Sequence, residues 1–327
     1  HRARLALAQA CADLGDAAAA ATHFETGAKL RPSVQGYRGL VAARAHLGDV
    51  QGGIEAYRGL LAQPDLEPSN AAAANAGLAD LLMTRGEPVQ AERAYRAAID
   101  GGLDPPAVRL GLGYALANQQ RPNEALAQFR LAYQAEPRSN VALQLARTHM
   151  ALQEAEPALR YAEAALADTS ELAPEQHKLL LSEMAILHAG LGQTRQAAAM
   201  RERAFALWPE PGTALALAQA QLADGQRQAA QRTLAAWPAK DWPAGLASEH
   251  LDLSSQIKAR DKNFAEARAM LSQAQATAPS AERQYRLALL DIELGQTQAA
   301  LESLDSLMRS QPKAAYREGA ALALYNG

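Results

Sequence analysis

Two stretches of the sequence, LGQTRQAAAMRERAFALWP at Leu191–Pro209 and LGQTQAALESLDSLMRSQP at Leu294–Pro312, share a tetrapeptide, a pair of alanines and a closing proline. They begin 103 residues apart, close to three times 34 residues. Repeats of this length are typical of chains built from helical hairpins. The shared tetrapeptide therefore suggests a period, and the period extends along the whole chain.

A turn signal and two small residues mark this period. A glycine, or a polar residue in its place, occurs at Gly15, Gly48, Gly86, Gln120, Gln153, Gly192, Gly225, Lys262, Gly295 and Gly327. Five residues later comes a small residue, at Ala20, Gly53, Ala91, Ala125, Ala158, Ala197, Ala230, Ala267 and Ala300. Seven residues before the turn comes another, at Ala8, Val41, Ala79, Gly113, Ala146, Ala185, Ala218, Ser255, Ala288 and Ala320, of which only Val41 is not small.

Larger apolar residues and prolines complete the unit. One large residue precedes the first small position, at Leu7, Leu40, Leu78, Leu112, Leu145, Met184, Leu217 and Leu287. Another follows the second small position by four residues, at Phe24, Tyr57, Tyr95, Phe129, Leu234, Leu271 and Leu304. A proline, which cannot continue a helix, often closes the unit, at Pro32, Pro137, Pro209, Pro279 and Pro312. The pattern predicts stacked helical hairpins, because one hairpin cannot bury both of its faces.

The composition agrees with an all-helical chain and excludes several classes of protein. The chain is 49% hydrophobic but only 5% aromatic, and much of the apolar content is Ala and Leu, which favour helix. The net charge of -3 gives no reason to expect nucleic acid as a partner. Cys11 is the one cysteine, so an internal disulfide and a cysteine-based zinc site are excluded. No apolar run approaches the length of a membrane span.

Motifs for catalysis are missing from the sequence. The GLGYAL stretch at Gly111 lacks the third glycine of a dinucleotide-binding loop and lies inside a predicted helix, so hairpin packing explains its glycines better. The pair His177 and His188 could share one helix face, but two ligands without a third make a weak metal site. We therefore expect no cofactor, no metal site and no enzymatic activity in this chain.

These recurring positions resemble the tetratricopeptide repeat, a helix-turn-helix unit of about 34 residues. The resemblance implies an all-α fold, a right-handed α-solenoid of about nine stacked antiparallel hairpins plus one extra helix, forming a single domain over residues 1–327. The units lie near 1–33, 34–66, 67–105, 106–138, 139–174, 175–209, 210–238, 239–279 and 280–312, with a half unit at 313–327. Extra residues with two Trp-Pro pairs predict a bend near 237–248, or else a loop whose tryptophans fill a gap between hairpins.

The resemblance also implies where a partner would bind. In this family, fixed positions of the first helix of each hairpin line a concave groove. Mapped on this sequence, these positions give the candidate groove residues Arg38, Tyr114, Asn118, Arg147, Leu215, Gln219, Leu222, Asp252, Gln256, Tyr285 and Glu293. Leucine in such a groove either contacts a partner or packs against a neighbouring hairpin. Arg38 and Arg147 lie too many units apart to act as one clamp.

The leading interpretation of function is a non-catalytic scaffold, with a protein or peptide partner in the groove, no nucleic acid and no direct membrane insertion. Long, Ala-rich arrays of this kind resemble the periplasmic arm of outer-membrane exopolysaccharide secretion proteins and a related phage-adsorption receptor. That resemblance implies a periplasmic location. The chain has no initiator Met and ends at Tyr325–Gly327 in what looks like a turn, so we expect it to be a fragment of a longer protein. We also expect it to be a monomer.

Two alternatives remain open at this stage. A cytoplasmic regulatory array would bind a peptide or a transcription factor in the same groove. A substrate-recognition arm would serve a catalytic domain, such as a glycosyltransferase, that lies outside this sequence. Flanking sequence distinguishes them, because an export signal and alternating ten-residue strands favour the secretion protein, whereas a DNA-binding motif favours the regulator.

Overall fold

Helical hairpins account for the architecture of the computed structural model, which describes residues 2–64, 66–237, 242–311 and 313–326. Within these residues there are nineteen α-helices and no β-strand. The chain divides into two units, residues 1–173 and residues 174–327, which are called unit 1 and unit 2 below. In both, odd-numbered helices are the first helices of hairpins and even-numbered helices are the second helices.

Unit 1 contains five hairpins, each joined to the next by helix contacts. Its helices are α1 (Arg2–Asp13), α2 (Ala17–Leu30), α3 (Val34–His46), α4 (Val50–Leu61), α5 (Pro68–Thr84), α6 (Pro88–Asp100), α7 (Pro106–Asn118), α8 (Pro122–Ala135), α9 (Ser139–Ala151) and α10 (Ala155–Ala167). Each helix packs on its own hairpin partner, and the second helices α2, α4, α6 and α8 each pack on the first helix of the next hairpin, so unit 1 is an α-solenoid.

Unit 2 contains four hairpins and a final first helix that packs on the fourth. Its helices are α11 (Pro174–Gly190), α12 (Thr194–Leu207), α13 (Pro211–Ala223), α14 (Arg227–Ala235), α15 (Ala244–Arg260), α16 (Phe264–Thr277), α17 (Ala281–Glu293), α18 (Thr297–Ser310) and α19 (Ala314–Asn326). The predicted fold class, an α-solenoid of stacked hairpins, is therefore confirmed for each unit.

The turn positions adopt the left-handed backbone conformation that the sequence pattern requires. Gly15, Gly48, Gly86, Gly192, Gly225 and Gly295 all have φ between 71° and 80°. The three polar substitutes follow the same path, with φ of 59° at Gln120 and 60° at both Gln153 and Lys262. Glycine is common here because a side chain is disfavoured at positive φ. Hairpin closure is therefore strong enough to hold three ordinary residues in this conformation.

The small positions form the contact between the two helices of each hairpin. The small residue of every second helix is buried, from Ala20 in α2 to Ala300 in α18. Closing prolines at 32, 137, 209 and 279 each lie two residues after a helix end. The closing proline at 312, the turn at 327, and residues 65 and 238–241 of the longer loops lie outside the described residues.

One tryptophan of the 237–248 stretch packs in the core of unit 2. Trp242 is 6% exposed, and its indole Nε1 donates to the backbone oxygen of Trp237 at 3.2 Å. Its ring stacks on the imidazole of His250 with centroids 4.4 Å apart. Trp242 thus fills space beside α13 and α15, as the loop alternative for this stretch predicts. The bend itself stays a prediction.

Candidate partner-binding groove

In unit 1 the candidate residue Arg38 belongs to a cluster with two tyrosines and an aspartate. The Tyr95 hydroxyl on α6 donates to the Asp80 carboxylate on α5 at 2.6 Å. Burial, that hydrogen bond and the charge of Asp80 together raise the pKa of the Tyr95 phenol. Burial also raises the pKa of Tyr57, where Arg38 acts in the opposite direction and Asp80 in the same one. Two successive hairpins, α3–α4 and α5–α6, therefore contribute interacting polar groups to one surface.

The candidates Tyr114, Asn118 and Arg147 lie further along the first helices of unit 1, on α7 and α9. Tyr114 on α7 is half-buried and packs edge-on against Phe129, with centroids 5.7 Å apart. Burial raises the pKa of the Tyr114 phenol, and the nearby Arg147 guanidinium on α9 partly offsets this effect. Asn118 is exposed at the end of α7. The structure brings Tyr114 and Arg147 together and gives Arg38 different neighbours.

In unit 2 the candidate Asp252 on α15 is the centre of an ion-pair network. Its carboxylate accepts from Arg283 Nε at 2.8 Å, from Arg286 on the same helix α17, and from Gln256 Nε2 at 3.2 Å. Burial of Asp252 disfavours its charged form, but the hydrogen bonds from Arg286 and Arg283 outweigh burial and lower the pKa of this carboxyl. The network joins two neighbouring first helices through one carboxylate.

Four of the candidates line a single cavity of about 270 Å³ between α13 and α15. They are Gln219, Leu222, Asp252 and Gln256. Arg260, the last residue of α15, also lines it and donates from Nη1 to the backbone oxygen of Leu222 at 2.9 Å. Amide, carboxylate and guanidinium groups thus converge on one concave surface, which is an arrangement able to hydrogen-bond a peptide backbone.

The structure corrects the sequence prediction for two candidate groove residues, Leu215 and Leu222, which are buried. Leu215 and Leu222 are each 3% exposed and belong to the core formed with Leu253 and Ile257. The reason is that α13 packs directly against α15, so side chains of α13 that point toward α15 are covered by it. Leu222 still lines the cavity, and its backbone oxygen accepts from Arg260. Of the alternatives for these leucines, packing against a neighbouring hairpin is the one observed.

The last two candidates, Tyr285 and Glu293, lie on α17 but differ in exposure. Tyr285 is half-buried, with its ring 5.2 Å from that of Tyr316, and burial together with Glu318 raises the pKa of its phenol. It therefore packs between α17 and α19 more than it projects toward solvent. Glu293 is exposed and lines a second cavity, of about 430 Å³, together with Gln256.

Sequence reasoning missed three arginines beside the candidate residues of unit 2: Arg260, Arg283 and Arg286. A signal for one of them was present, because Asp252 and Arg286 are separated by 34 residues, about one repeat length. Residues about one period apart lie near each other on neighbouring first helices, so opposite charges at that spacing are candidates for an ion pair. Arg260 carries no such signal, since its contact is with a backbone oxygen.

His177 and His188, the pair considered as metal ligands, each contact a neighbouring side chain. His188 Nδ1 lies 2.7 Å from Gln193 Oε1, across the turn that follows α11. His177 instead packs edge-on against Trp208, with centroids 5.2 Å apart. Among the described residues, no group of three His, Cys, Asp or Glu side chains could hold a metal ion. Nor does any helix in the described part of the chain have the length and apolar character needed to cross a bilayer.

The first part of the chain matches a known family. Residues 5–71 and 76–140 match the family described as tetratricopeptide repeat. These two ranges are therefore similar to tetratricopeptide repeats. The matched ranges cover α2 to α8 of unit 1 except residues 72–75 of α5, and they agree with the repeat positions found in the sequence. Among curated proteins, none matches the chain.

Two solved structures are similar to most of the chain. The C-terminal part of a TPR repeat-containing protein from Cytophaga hutchinsonii is similar over 86% of this chain and 98% of that one, with 14% identity and a TM-score of 0.51. A tetratricopeptide repeat protein from Parabacteroides merdae is similar over 89% of this chain and 98% of that one, with 13% identity and a TM-score of 0.49. The Cytophaga similarity, at this identity, shows the fold alone.

Proposed function

We propose that the chain is a protein-interaction scaffold whose first helices bind a peptide segment of a partner protein. The observation that carries this proposal is the cavity between α13 and α15, where Gln219, Asp252, Gln256 and Arg260 converge. Side-chain amides can pair with both the N–H and the C=O groups of an extended peptide. The ion pairs of Asp252 with Arg283 and Arg286 hold α15 and α17 in register, so that the surface is formed before a partner arrives.

Unit 1 supports the same function with different chemistry. Arg38 is exposed and Arg147 half-exposed, and neither has an ion pair among the residues that the structure describes. Each lies near a half-buried tyrosine, Tyr57 or Tyr114 respectively. Tyr and Arg are the residue types that most often dominate the energy of protein interfaces. We therefore place secondary contacts with the partner at these two pairs.

The test is a peptide selection on the full chain. Peptides selected from a displayed random library on the wild-type chain are measured by calorimetry against the double variant Gln219→Ala/Gln256→Ala. Loss of several hydrogen bonds should weaken binding by at least about tenfold, equivalent to about 1.4 kcal/mol. The matched control is Gln273→Ala/Gln298→Ala, in the second helices α16 and α18, which should bind as the wild type does. Equal binding by both double variants, or no selected peptide at all, contradicts the proposal.

The finer hypothesis is that the scaffold is the periplasmic arm of an outer-membrane exopolysaccharide secretion protein. Its support is that this long, Ala-rich repeat array resembles the periplasmic arm of such proteins. The hypothesis predicts a monomer that recruits periplasmic proteins. The parent gene tests it, because an export signal and a run of amphipathic ten-residue strands should flank the array. A DNA-binding motif or a catalytic domain in the flanks would favour the regulatory or the enzyme-arm alternative instead.

A further inference from the structure

In unit 1, aromatic rings of second helices cover glycines on the first helices that follow them. The ring of Phe24 lies where a Cβ at Gly39 would be, and the same relationship joins Tyr57 to Gly77 and Tyr95 to Gly111. The aromatic residue is four positions after the second small residue, and the glycine is two positions before the next first-helix small position. Each ring thereby fills the space between two consecutive hairpins.

Unit 2 carries a different pair at the same two repeat positions. Leu271 on α16 occupies the aromatic position, and Arg286 on α17 occupies the glycine position. Leucine does not extend as far as a tyrosine ring, and the Arg286 guanidinium is directed to Asp252 on α15. No aromatic ring therefore lies at this junction, where Leu271 packs with Leu290 in the core. A cavity of about 430 Å³ lies beside it, and its lining includes both Leu271 and Arg286.

The lining of this cavity is mainly apolar. Its apolar walls come from α16, α17 and α19, through Phe264, Leu271, Leu289, Leu290 and Leu322. Leu322 is 45% exposed, although leucine is an unfavourable residue to leave in water. A volume of this size falls within the range of about 300–1,000 Å³ that ligand sites usually have. The cavity is therefore large enough to receive an aromatic side chain from outside the chain.

The polar groups at the mouth add a charge preference. Arg260 lines the same cavity, and in the described part of the chain its guanidinium donates to the backbone oxygen of Leu222 and has no carboxylate partner. Its guanidinium can therefore receive an incoming carboxylate through charge-assisted hydrogen bonds. Arg286 can in addition face an incoming ring, since a guanidinium over an aromatic face is a favourable contact. Glu293 lies on the opposite side of the lining, on α17.

We propose that the cavity between α15 and α17 binds an aromatic side chain of the partner peptide, with an adjacent acidic residue of that peptide bound by Arg260. The partner would supply in trans the ring that unit 1 carries in its own sequence. This inference rests on the proposed function, because it names the chemistry of the segment that the first helices bind. The subsite adjoins the cavity between α13 and α15, with which it shares Gln256 and Arg260.

The test uses a synthetic hexapeptide of sequence Gly-Ser-Asp-Trp-Ser-Gly with both termini blocked. Two variant peptides replace Trp by Ala or Asp by Asn. Titration of the full chain is followed by the methyl NMR signals of Leu271, Leu289 and Leu322. We expect the Trp peptide to shift these three signals, the Ala peptide to leave them unchanged, and the Asn peptide to bind several-fold more weakly. A Trp peptide that leaves all three signals unshifted would overturn the inference.

Two variants close the cavity in different ways. Leu271→Phe places an aromatic ring of the chain itself at the cavity lining. Leu322→Arg places a charged side chain at the partly exposed position 322 of the same lining. Each should reduce binding of the Trp peptide by at least about tenfold. The control is Leu324→Arg, two residues further along α19, because Leu324 is 69% exposed and does not line the cavity. Should Leu271→Phe fail to fold, Leu322→Arg decides alone, and unchanged binding by Leu322→Arg counts against the inference.

The outcomes separate this inference from the proposed function. Library peptides that depend on Gln219 and Gln256 but show no aromatic preference would overturn the aromatic subsite and leave the scaffold proposal standing. Conversely, a Trp peptide that binds and is blocked by Leu322→Arg would support the subsite even if the glutamine variants bind library peptides normally. In that case the cavity between α13 and α15 would not be the principal contact.

Discussion

The phenol ring of Tyr57, on the second helix α4, lies directly over Gly77 on the first helix α5, so that a Cβ at Gly77 would overlap the ring. Glycine is a poor helix former, and its presence inside α5 lowers the local helix propensity. Glycine nevertheless suits position 77, because the ring of Tyr57 leaves no room for a Cβ there. Consecutive hairpins in unit 1 are joined by this contact at three points.

We predict that Gly77→Ala destabilises unit 1. Helix propensity alone would favour alanine by about 1 kcal/mol, but displacing a ring from a packed position costs about 1–3 kcal/mol. The control is Gly59→Ala in α4, where the nearest atom, the Tyr37 hydroxyl, would be 3.5 Å away. Gly59→Ala should therefore be neutral or stabilising. Urea denaturation of both variants tests this, and a stabilised Gly77→Ala would show that the ring moves aside freely.

The left-handed turn residues make a second prediction. Lys262 has φ of 60°, a conformation that costs an ordinary residue about 1–2 kcal/mol. Lys262→Gly should remove this strain and, after the entropy cost of glycine, stabilise unit 2 by about 0.5–1 kcal/mol. Gly225→Ala, at φ 79° with no atom near its added Cβ, should instead destabilise it by about 1–2 kcal/mol. Shifts of the same sign in both variants would contradict this account.

A third prediction concerns Asp252 and pH. Its lowered pKa means that the ionised carboxylate stabilises the folded state above the unfolded pKa of about 3.9. That contribution is lost as the pH falls through the lower folded value. Asp252→Asn should cost about 1–3 kcal/mol at pH 7, because two arginines lose their charged acceptor. The difference from wild type should shrink below about pH 4; urea titrations at several pH values that give a constant difference would argue against this.

A fourth prediction tests the repeat register. Ala197 on α12 is 5% exposed at a small position of the hairpin. Ala197→Leu should overpack the contact between α11 and α12 and destabilise unit 2 by about 1–3 kcal/mol. Ala199→Leu is the control, because Ala199 is exposed on the same helix. Thermal melts followed by circular dichroism measure the difference, and equal melting temperatures for the two variants would mean that this register is misplaced.

Most of the fold could be predicted from the sequence because its signals are local and repeated. The turn residues Gly192 and Lys262 both adopt positive φ, and the helices end before their closing prolines. The buried small residues Ala20 and Ala300 occupy the predicted hairpin contact. Each of these features depends on the conformation of a few neighbouring residues or on one helix pair. Nine similar copies of the pattern reinforce each single signal.

The site was predicted less well because exposure in the groove depends on several helices at once. Gln219, Asp252 and Gln256 meet at one cavity as the repeat positions imply. Leu215 occupies an equivalent groove position but is buried by α15. Which residue stays exposed is set by how closely two first helices approach, and that distance depends on side chains from other parts of the repeat.

The sequence by itself determined the period, the helix pairs and the left-handed turns, because backbone propensity and the small contact positions recur in nearly every unit. Only the tertiary structure decided that Asp252 pairs with Arg283 and Arg286, that Leu271 lines a cavity, and that the ring of Tyr57 covers Gly77. The physical reason is that these features arise from contacts between different units. There the size of one side chain and the direction of another, both variable along the repeat, set the shape of the surface.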